Sequence, residues 1–175
     1  MSSSECPGCG GMFIDSDGPV HRYMICSAGC WRGFGEILAG DYLSPERLSI
    51  HQIVVDAYAA QHPGDGSLPQ QVQSVGLHLM TLCLFLEHGT DPALGSALHR
   101  KMVGRPTFNR LLRCGAGELT WRHIPQGSDS GEPRDAAYSW ADSVWGTYRD
   151  SQPTVRTWLR DAGFDLSTPV PSRPL

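Results

Sequence analysis

The sequence predicts a mainly α protein, a compact bundle of about five to seven helices that follows a turn-rich N-terminal segment. Three observations lead to this fold class. Beyond residue 30, apolar side chains recur at helical spacing, and serine or aspartate next to proline marks several helix starts. Within residues 1–30, glycine, aspartate and proline separate short apolar pieces, and four of the six cysteines are concentrated there. We therefore expect a small cysteine-held unit packed against helices.

The first half of the chain contains three predicted helices. Apolar spacing predicts the first over residues 31–42, with Cys30 at its N-terminus. Ser44-Pro45 opens the second, which Pro63-Gly64 ends. The third begins at Pro69, is apolar on nearly every face over residues 77–86, and ends at Gly89 in a predicted left-handed cap. We expect this third helix to be the most buried element.

The second half is less regular. Asp91-Pro92 begins a predicted shorter helix to about residue 103, residues 106–113 favour another, and residues 119–124 favour a short strand. A strongly amphipathic helix is expected over residues 137–148, and Trp158 and Leu159 belong to a last one. We expect a single domain over residues 1–165 and a disordered Pro-rich tail over 166–175.

Four cysteines carry the clearest chemical signal. Cys6, Cys9, Cys26 and Cys30 have the spacing C-x2-C-x16-C-x3-C, and Pro and Gly between the first two are typical of a tight knuckle. Thiolates in such a knuckle, combined with later ligands at a helix start, predict a treble-clef-like zinc site. Four sulfurs would close the site and make it structural, whereas three sulfurs with a histidine or a water would change its chemistry.

Composition narrows the compartment and the partners. No signal peptide is apparent, and such cysteine spacing in reducing cytosol more often binds metal than forms disulfides, so we expect a cytoplasmic protein. No apolar stretch reaches the roughly 20 residues that cross a bilayer, so no membrane partner is expected. A net charge of -4 gives no general reason for nucleic-acid binding.

A second group of residues has types suited to metal binding or acid–base catalysis. His51, Asp56, His62 and His78 lie on the second and third predicted helices. His51 and His62 are about 16 Å apart along a continuous helix and cannot share an ion. His62 precedes Pro63 at the helix end, from which it can reach either the knuckle or His78. Structural hydrogen bonding is the alternative role for each histidine.

Four sequence motifs also resemble a known family. They are Cys-Pro-Gly-Cys-Gly at 6–10, Gly-Cys-Trp at 29–31, residues 55–64 and residues 75–79. They resemble a bacterial family with no assigned function, over roughly residues 6–90. The resemblance implies functional positions at Cys6, Cys9, Cys30, His51, Asp56, His62 and His78, but not at Cys26. It therefore implies a Cys3His site with His62 or His78 as the fourth ligand, as the alternative to Cys26.

The region between Pro92 and Gly117 is basic, although the whole chain is acidic. It contains five cations and no acidic residue, which predicts an anion-binding surface, with a solvated helical face as the simpler alternative. An acidic protein, a phosphate-bearing ligand or a nucleic acid would suit it. The five are Arg100, Lys101, Arg105, Arg110 and Arg113.

These observations support three functional hypotheses. The first is a zinc-binding cytosolic binding or regulatory module that recognises an anionic partner. The second is a zinc-dependent hydrolase or group-transfer enzyme, which would use zinc-activated water with the four His and Asp residues as ligand or base. The third is a nucleic-acid-binding protein that uses the arginine run.

Overall fold

The computed structural model describes residues 2–104, 107–125 and 133–167. Within these ranges the chain forms six α-helices and one small two-stranded sheet, and is 58% helical. The predicted mainly α fold with about five to seven helices is therefore confirmed.

The N-terminal segment begins with an antiparallel hairpin. Strand β1, Ser3–Glu5, pairs with strand β2, Met12–Ile14, so that Glu5 lies opposite Met12. Residues 6–11 connect the strands, and two backbone hydrogen bonds close this connection: Cys6 N–H donates to Gly11 O and Gly10 N–H donates to Cys6 O, both at 2.8 Å. The first two cysteines thus lie in a tight loop at the end of a hairpin.

The three helices of the first half follow the sequence signals. Helix α1 spans Ala28–Asp41, α2 spans Pro45–Gln61 and α3 spans Pro69–Glu87. Ser44 caps α2 by accepting a hydrogen bond from Arg47 N–H, and Gly89 has φ 60°, the left-handed conformation expected after α3. α1 begins three residues earlier than predicted, because Ser27 caps it through a hydrogen bond from Cys30 N–H.

The second half contains three further helices. A 3₁₀ turn at Pro92–Leu94 leads into α4, Gly95–Met102. Helix α5 spans Pro133–Gly146, and a second 3₁₀ turn at Arg149–Ser151 leads into α6, Gln152–Asp161. The apolar face predicted for α5 is buried as expected.

Two predictions for the second half were wrong. Residues 107–113 form no helix, because this segment runs over the surface. Individual side chains attach it to the core, and one of them, Phe108, packs edge-to-face on Trp158. Residues 119–124 form no strand but a 3₁₀ turn at Trp121–His123, because the His123 ring accepts a hydrogen bond from Thr120 N–H and folds the chain back.

Helices α2 and α3 form the centre of the bundle. α2 packs against α1, α3, α4 and α5, and α3 packs against α2, α4, α5 and α6. Trp140, Tyr58 and Tyr148 are the largest fully buried side chains of this core. Leu166 is partly buried against the same core, whereas residues 168–175 of the predicted tail lie outside the described ranges. The single domain over 1–165 stays a prediction.

The membrane prediction concerns helix length and polarity. In the described ranges, no helix combines the length and the apolarity that crossing a bilayer requires.

Glu87, at the end of α3, joins three helices. Its carboxylate accepts hydrogen bonds from Trp145 of α5 at 3.0 Å and from two nitrogens of Arg156 of α6 at 2.8 and 2.6 Å. Burial alone would raise the pKa of Glu87, but the hydrogen bonds and charge of Arg156 outweigh burial and hold this pKa below its ordinary value. The ionised carboxylate therefore stabilises the folded state.

We predict that Glu87→Gln lowers the free energy of unfolding by about 1–2 kcal/mol at neutral pH, since it removes a partly exposed charged hydrogen-bond acceptor. Because the folded pKa lies below the unfolded one, this contribution is present above the unfolded pKa, about 4.3, and is lost as pH falls through the folded pKa. Urea denaturation of both proteins from pH 7 to pH 3 measures the difference. The exposed Glu36→Gln on α1 is the charge-matched control; an equal loss there, or a difference that grows at low pH, would contradict the prediction.

Candidate metal centre

Three parts of the chain bring four metal-ligating side chains together. Cys6 and Cys9 lie in the hairpin loop and Cys30 lies in the first turn of α1. His62 is the residue directly after the end of α2. Their donor atoms all lie within 4.8 Å of one another. We call this group the Cys3His cluster.

The distances inside the Cys3His cluster match tetrahedral coordination. Zn–S bonds of about 2.3 Å and Zn–N bonds of about 2.0–2.1 Å require about 3.8 Å between two sulfurs and about 3.5 Å between sulfur and nitrogen. Cys9 Sγ lies 3.9 Å from Cys30 Sγ, and Cys30 Sγ lies 3.5 Å from His62 Nε2. The cluster is therefore geometrically able to bind a metal ion.

The orientation of His62 is fixed by its second ring nitrogen. Nδ1 lies 2.8 Å from the Tyr58 carbonyl oxygen, so Nδ1 carries the proton and donates it to that acceptor. In the neutral ring this tautomer leaves the lone pair on Nε2, the nitrogen that faces the sulfurs and could bind a metal ion. The ring also stacks on Tyr58, with 3.9 Å between the centroids.

Several hydrogen-bond donors point at the sulfurs. Ser27 N–H donates to Cys6 Sγ at 3.5 Å, and the Trp121 indole N–H donates to Cys30 Sγ at 3.3 Å. The Tyr58 hydroxyl also lies 3.5 Å from Cys30 Sγ. Such donors stabilise negative charge on sulfur, so at Cys30 they offset part of the rise in pKa that the neighbouring cysteines and burial cause.

The pKa values of Cys6 and Cys30 are shifted in opposite directions. Hydrogen bonds from Cys30 and then Cys9 hold the pKa of Cys6 well below its ordinary value, although burial opposes this. The hydrogen bond with Cys6, followed by those with Cys9 and by burial, raises the pKa of Cys30. A metal ion at the centre of the cluster would supply the positive charge that favours the thiolate form of all three cysteines.

The Cys3His cluster is closed to solvent. Cys6, Cys30 and His62 are fully buried and Cys9 is 4% exposed. Gly8 lets the loop come this close: a Cβ at Gly8 would overlap the His62 ring and lie 2.5 Å from the Ile25 carbonyl oxygen. Arg113 holds the loop from outside, since its guanidinium donates to Gln61 O at the end of α2 and to Gly8 O at 3.0 Å.

Cys26 is not part of this cluster. It lies two residues before α1 in a segment without regular structure and is partly buried. Burial raises its pKa more than its hydrogen bond with Tyr58 lowers it. The geometry therefore places His62, rather than Cys26 or His78, beside Cys6, Cys9 and Cys30. The identity of the fourth ligand stays a prediction.

His51, Asp56 and His78, the other predicted site residues of α2 and α3, lie at two separate places. His51 Nδ1 pairs with the buried Asp41 at 2.9 Å. Asp56, which is fully buried, accepts a hydrogen bond from His78 Nδ1 at 2.6 Å, and His99 of α4 lies 3.4 Å from the same oxygen. Burial opposes ionisation of Asp56, but the hydrogen bonds from His78 and His99 outweigh it and lower its pKa.

His99 is the member of this second group that sequence reasoning missed. It stands one residue before the basic pair at 100–101 and was not distinguished from that run. A pattern of residue types contains no information on which helices pack together, and only the docking of α4 on α3 brings His99 to Asp56.

The basic run is divided among several contacts. Besides Arg113, Lys101 also serves internally: its ammonium donates to Gly163 O at 3.3 Å and lies over the Phe164 ring. Arg110 packs beside Gly66, Arg100 is exposed on α4, and Arg105 lies outside the described residues. The anion-binding surface stays a prediction, with fewer free charges than the sequence indicates.

Comparison with known proteins places the chain in a family. No curated protein and no solved structure matches it. A model for a family of unknown function, DUF5946, matches residues 4–149, which includes the Cys3His cluster, the Asp56–His78–His99 group and all of α5. This span is longer than the resemblance seen in the motifs, and it covers most of the chain, so the protein belongs to the family of unknown function DUF5946.

Proposed function

We propose that this protein is a zinc-binding module in which one zinc ion fastens the N-terminal hairpin to the helical bundle. The supporting observation is that four buried donor atoms, from Cys6, Cys9, Cys30 and His62, lie within 4.8 Å of one another, with Cys30 Sγ 3.9 Å from Cys9 Sγ and 3.5 Å from His62 Nε2. Three thiolates and one imidazole favour zinc among the common metal ions, because zinc accepts soft sulfur and tetrahedral geometry without strain.

The proposed role of this ion is structural. Four protein donors complete a tetrahedral shell and leave no position for water, so the ion lacks the site that zinc-activated hydrolysis needs. A hydrolase or group-transfer reaction at this ion is therefore the less favoured hypothesis. Stable thiolates also suit a reducing compartment, which supports the proposed cytoplasmic location.

Binding of an anionic partner is a separate proposal. It is supported by the exposed Arg100 and by Arg110, whereas Arg113 and Lys101 are engaged within the chain. Nucleic-acid binding has less support for the same reason, since Lys101 and Arg113, two of the four described cations of the run, bond within the chain.

We predict that protein purified without a histidine tag, under reducing conditions, retains one zinc ion per chain after dialysis against a weak chelator. Cys30→Ser and His62→Ala should lose this ion, because each removes a donor from the Cys3His cluster. Cys26→Ser and His78→Ala are the matched controls and should keep it. Elemental analysis gives the zinc content. Loss of zinc from Cys26→Ser, with zinc retained by His62→Ala, would mean that four cysteines bind the ion. Wild-type protein without zinc would refute the proposal.

Removal of the zinc should lower the melting temperature by roughly 10 °C, since an ion present at a thousand times its Kd contributes about 4 kcal/mol. The loss of structure should at first be confined to the N-terminal segment. Hydrogen exchange on protein treated with a strong chelator under reducing conditions should rise most over residues 3–30, which the ion joins to α2. Uniform exchange throughout, or an unchanged melting temperature after confirmed zinc loss, would show that the ion does not fasten this segment.

Gly8→Ala should weaken zinc binding at least tenfold and lower stability by about 1–3 kcal/mol, because the added methyl group overlaps the His62 ring. Gly35→Ala, in α1, is the control: no atom lies within 4 Å of its added methyl group, and a helical alanine is expected to stabilise slightly. Competition for zinc with a coloured chelator and urea denaturation measure the two effects. Equal zinc affinity in both variants would mean that the close approach at Gly8 is not needed.

A further inference from the structure

A second group of donors lies on three helices and shares no residue with the Cys3His cluster. Asp56 is in the middle of α2, His78 in the middle of α3, and His99 in α4. One oxygen or nitrogen from each lies within 4.8 Å of the others. Asp56 and His62 are six residues apart on α2, so the two groups are separated by about 9 Å along its axis.

The Asp56 carboxylate is bonded unevenly. Oδ1 accepts from Gln52 Nε2 at 2.8 Å and from His78 at 2.6 Å, and His99 lies 3.4 Å away. Oδ2 is also buried, yet it has no hydrogen-bond partner within the described part of the chain. A buried carboxylate oxygen without a partner costs free energy, so this group lacks one positively charged or donating partner.

The ligand types and their accessibility complete the argument. Two imidazoles and one carboxylate form the facial ligand set that proteins use for divalent first-row metals with open coordination positions. Asp56 is 0% exposed, whereas the side chains of His78 and His99 are 15% and 22% exposed, so the group is closed behind the carboxylate and reachable from the histidines. This differs from the fully buried Cys3His cluster.

The spacing is close to what an ion needs. Donors about 2.0–2.2 Å from a shared ion lie about 2.8–3.6 Å from each other. Asp56 Oδ1 lies 3.4 Å from His99 Nε2, within this range. The 2.6 Å between the same oxygen and His78 Nδ1 is a hydrogen bond, and it would lengthen as the ion takes the place of the shared proton. Gln52 Nε2 also donates to Oδ1 at 2.8 Å and so helps to hold the carboxylate in place.

We propose that Asp56, His78 and His99 form a second metal site, which binds a divalent first-row transition-metal ion and leaves its remaining positions to water or a small ligand. This site does not depend on the ion in the Cys3His cluster. Unlike that ion, the second one exchanges with solvent and can act as a Lewis acid on a bound molecule.

The test uses Co²⁺ on full-length protein that already contains one tightly held zinc ion. Equilibrium dialysis should show uptake of one Co²⁺ per chain with no release of zinc. The bound Co²⁺ should lack a thiolate-to-cobalt charge-transfer band, because all three ligands are nitrogen or oxygen. Zinc release with appearance of that band would instead mean exchange into the Cys3His cluster, and would overturn the second site.

Three variants decide which residues hold the Co²⁺. His99→Gln and Asp56→Asn should each lower Co²⁺ affinity at least tenfold. His51→Gln is the matched control, since His51 also pairs with a buried aspartate but belongs to neither cluster; its affinity should be unchanged. Circular dichroism establishes folding, and His99→Gln, at a partly exposed position, provides the result even where Asp56→Asn fails to fold. No Co²⁺ uptake by wild-type protein, or equal uptake by folded His99→Gln, would refute the site.

Discussion

The carboxyl end of α2 is the constraint on which most of this structure depends. A helix end leaves its last carbonyl oxygens without partners inside the helix, and here they are buried. Ala60 O accepts from the Tyr148 hydroxyl at 2.7 Å, and Gln61 O accepts from Arg113, so two distant parts of the chain are attached to this helix end. Tyr58 O accepts from His62 N–H at 3.0 Å and also from the His62 ring, which orients that ring.

The same helix end also organises the loops. The Gln61 side chain is fully buried, donates to Ala116 O and Leu119 O at 2.8 and 2.7 Å, and accepts from Trp140 at 3.0 Å. It thereby fixes the irregular segment that carries Trp121 toward Cys30. The positive charge of Arg113 at this end also suits the negative end of the helix dipole. The Cys3His cluster is thus attached to a helix end that the core already holds in place.

The two donor groups on α2 differ in ways that suit different roles. The Cys3His cluster joins a hairpin, a helix start and a helix end, and it is sealed, which suits an ion that replaces a hydrophobic core for a segment too small to have one. The Asp56–His78–His99 group lies on three helices that pack together through apolar side chains, so the fold does not need an ion there. A site on such rigid elements, with solvent on one side, has the character of a functional site.

The sequence by itself determined the helices and the cysteine unit. Caps such as Ser44, the prolines at 45 and 69, and Gly89 act locally, and the Cys-Pro-Gly-Cys turn depends on neighbours within a few residues. These features follow from the order of residues alone. The choice between helix and extended chain over residues 107–113 does not, because that segment follows tertiary anchors such as Phe108 and Arg113 rather than its own periodicity.

Only the tertiary structure decided which residues meet. Cys26 and His62 were both compatible with the spacing as the fourth donor, and the packing of the α2 end beneath the hairpin loop brings His62 to the sulfurs. His51 and His78 are the same residue type on neighbouring helices, yet His51 of α2 pairs with Asp41 at the end of α1 and His78 of α3 pairs with Asp56 of α2. His99 joins that group only because α4 docks on α3. Local spacing determines elements, whereas contacts across 20 or more residues depend on how apolar faces pack, and the sequence pattern does not contain that information.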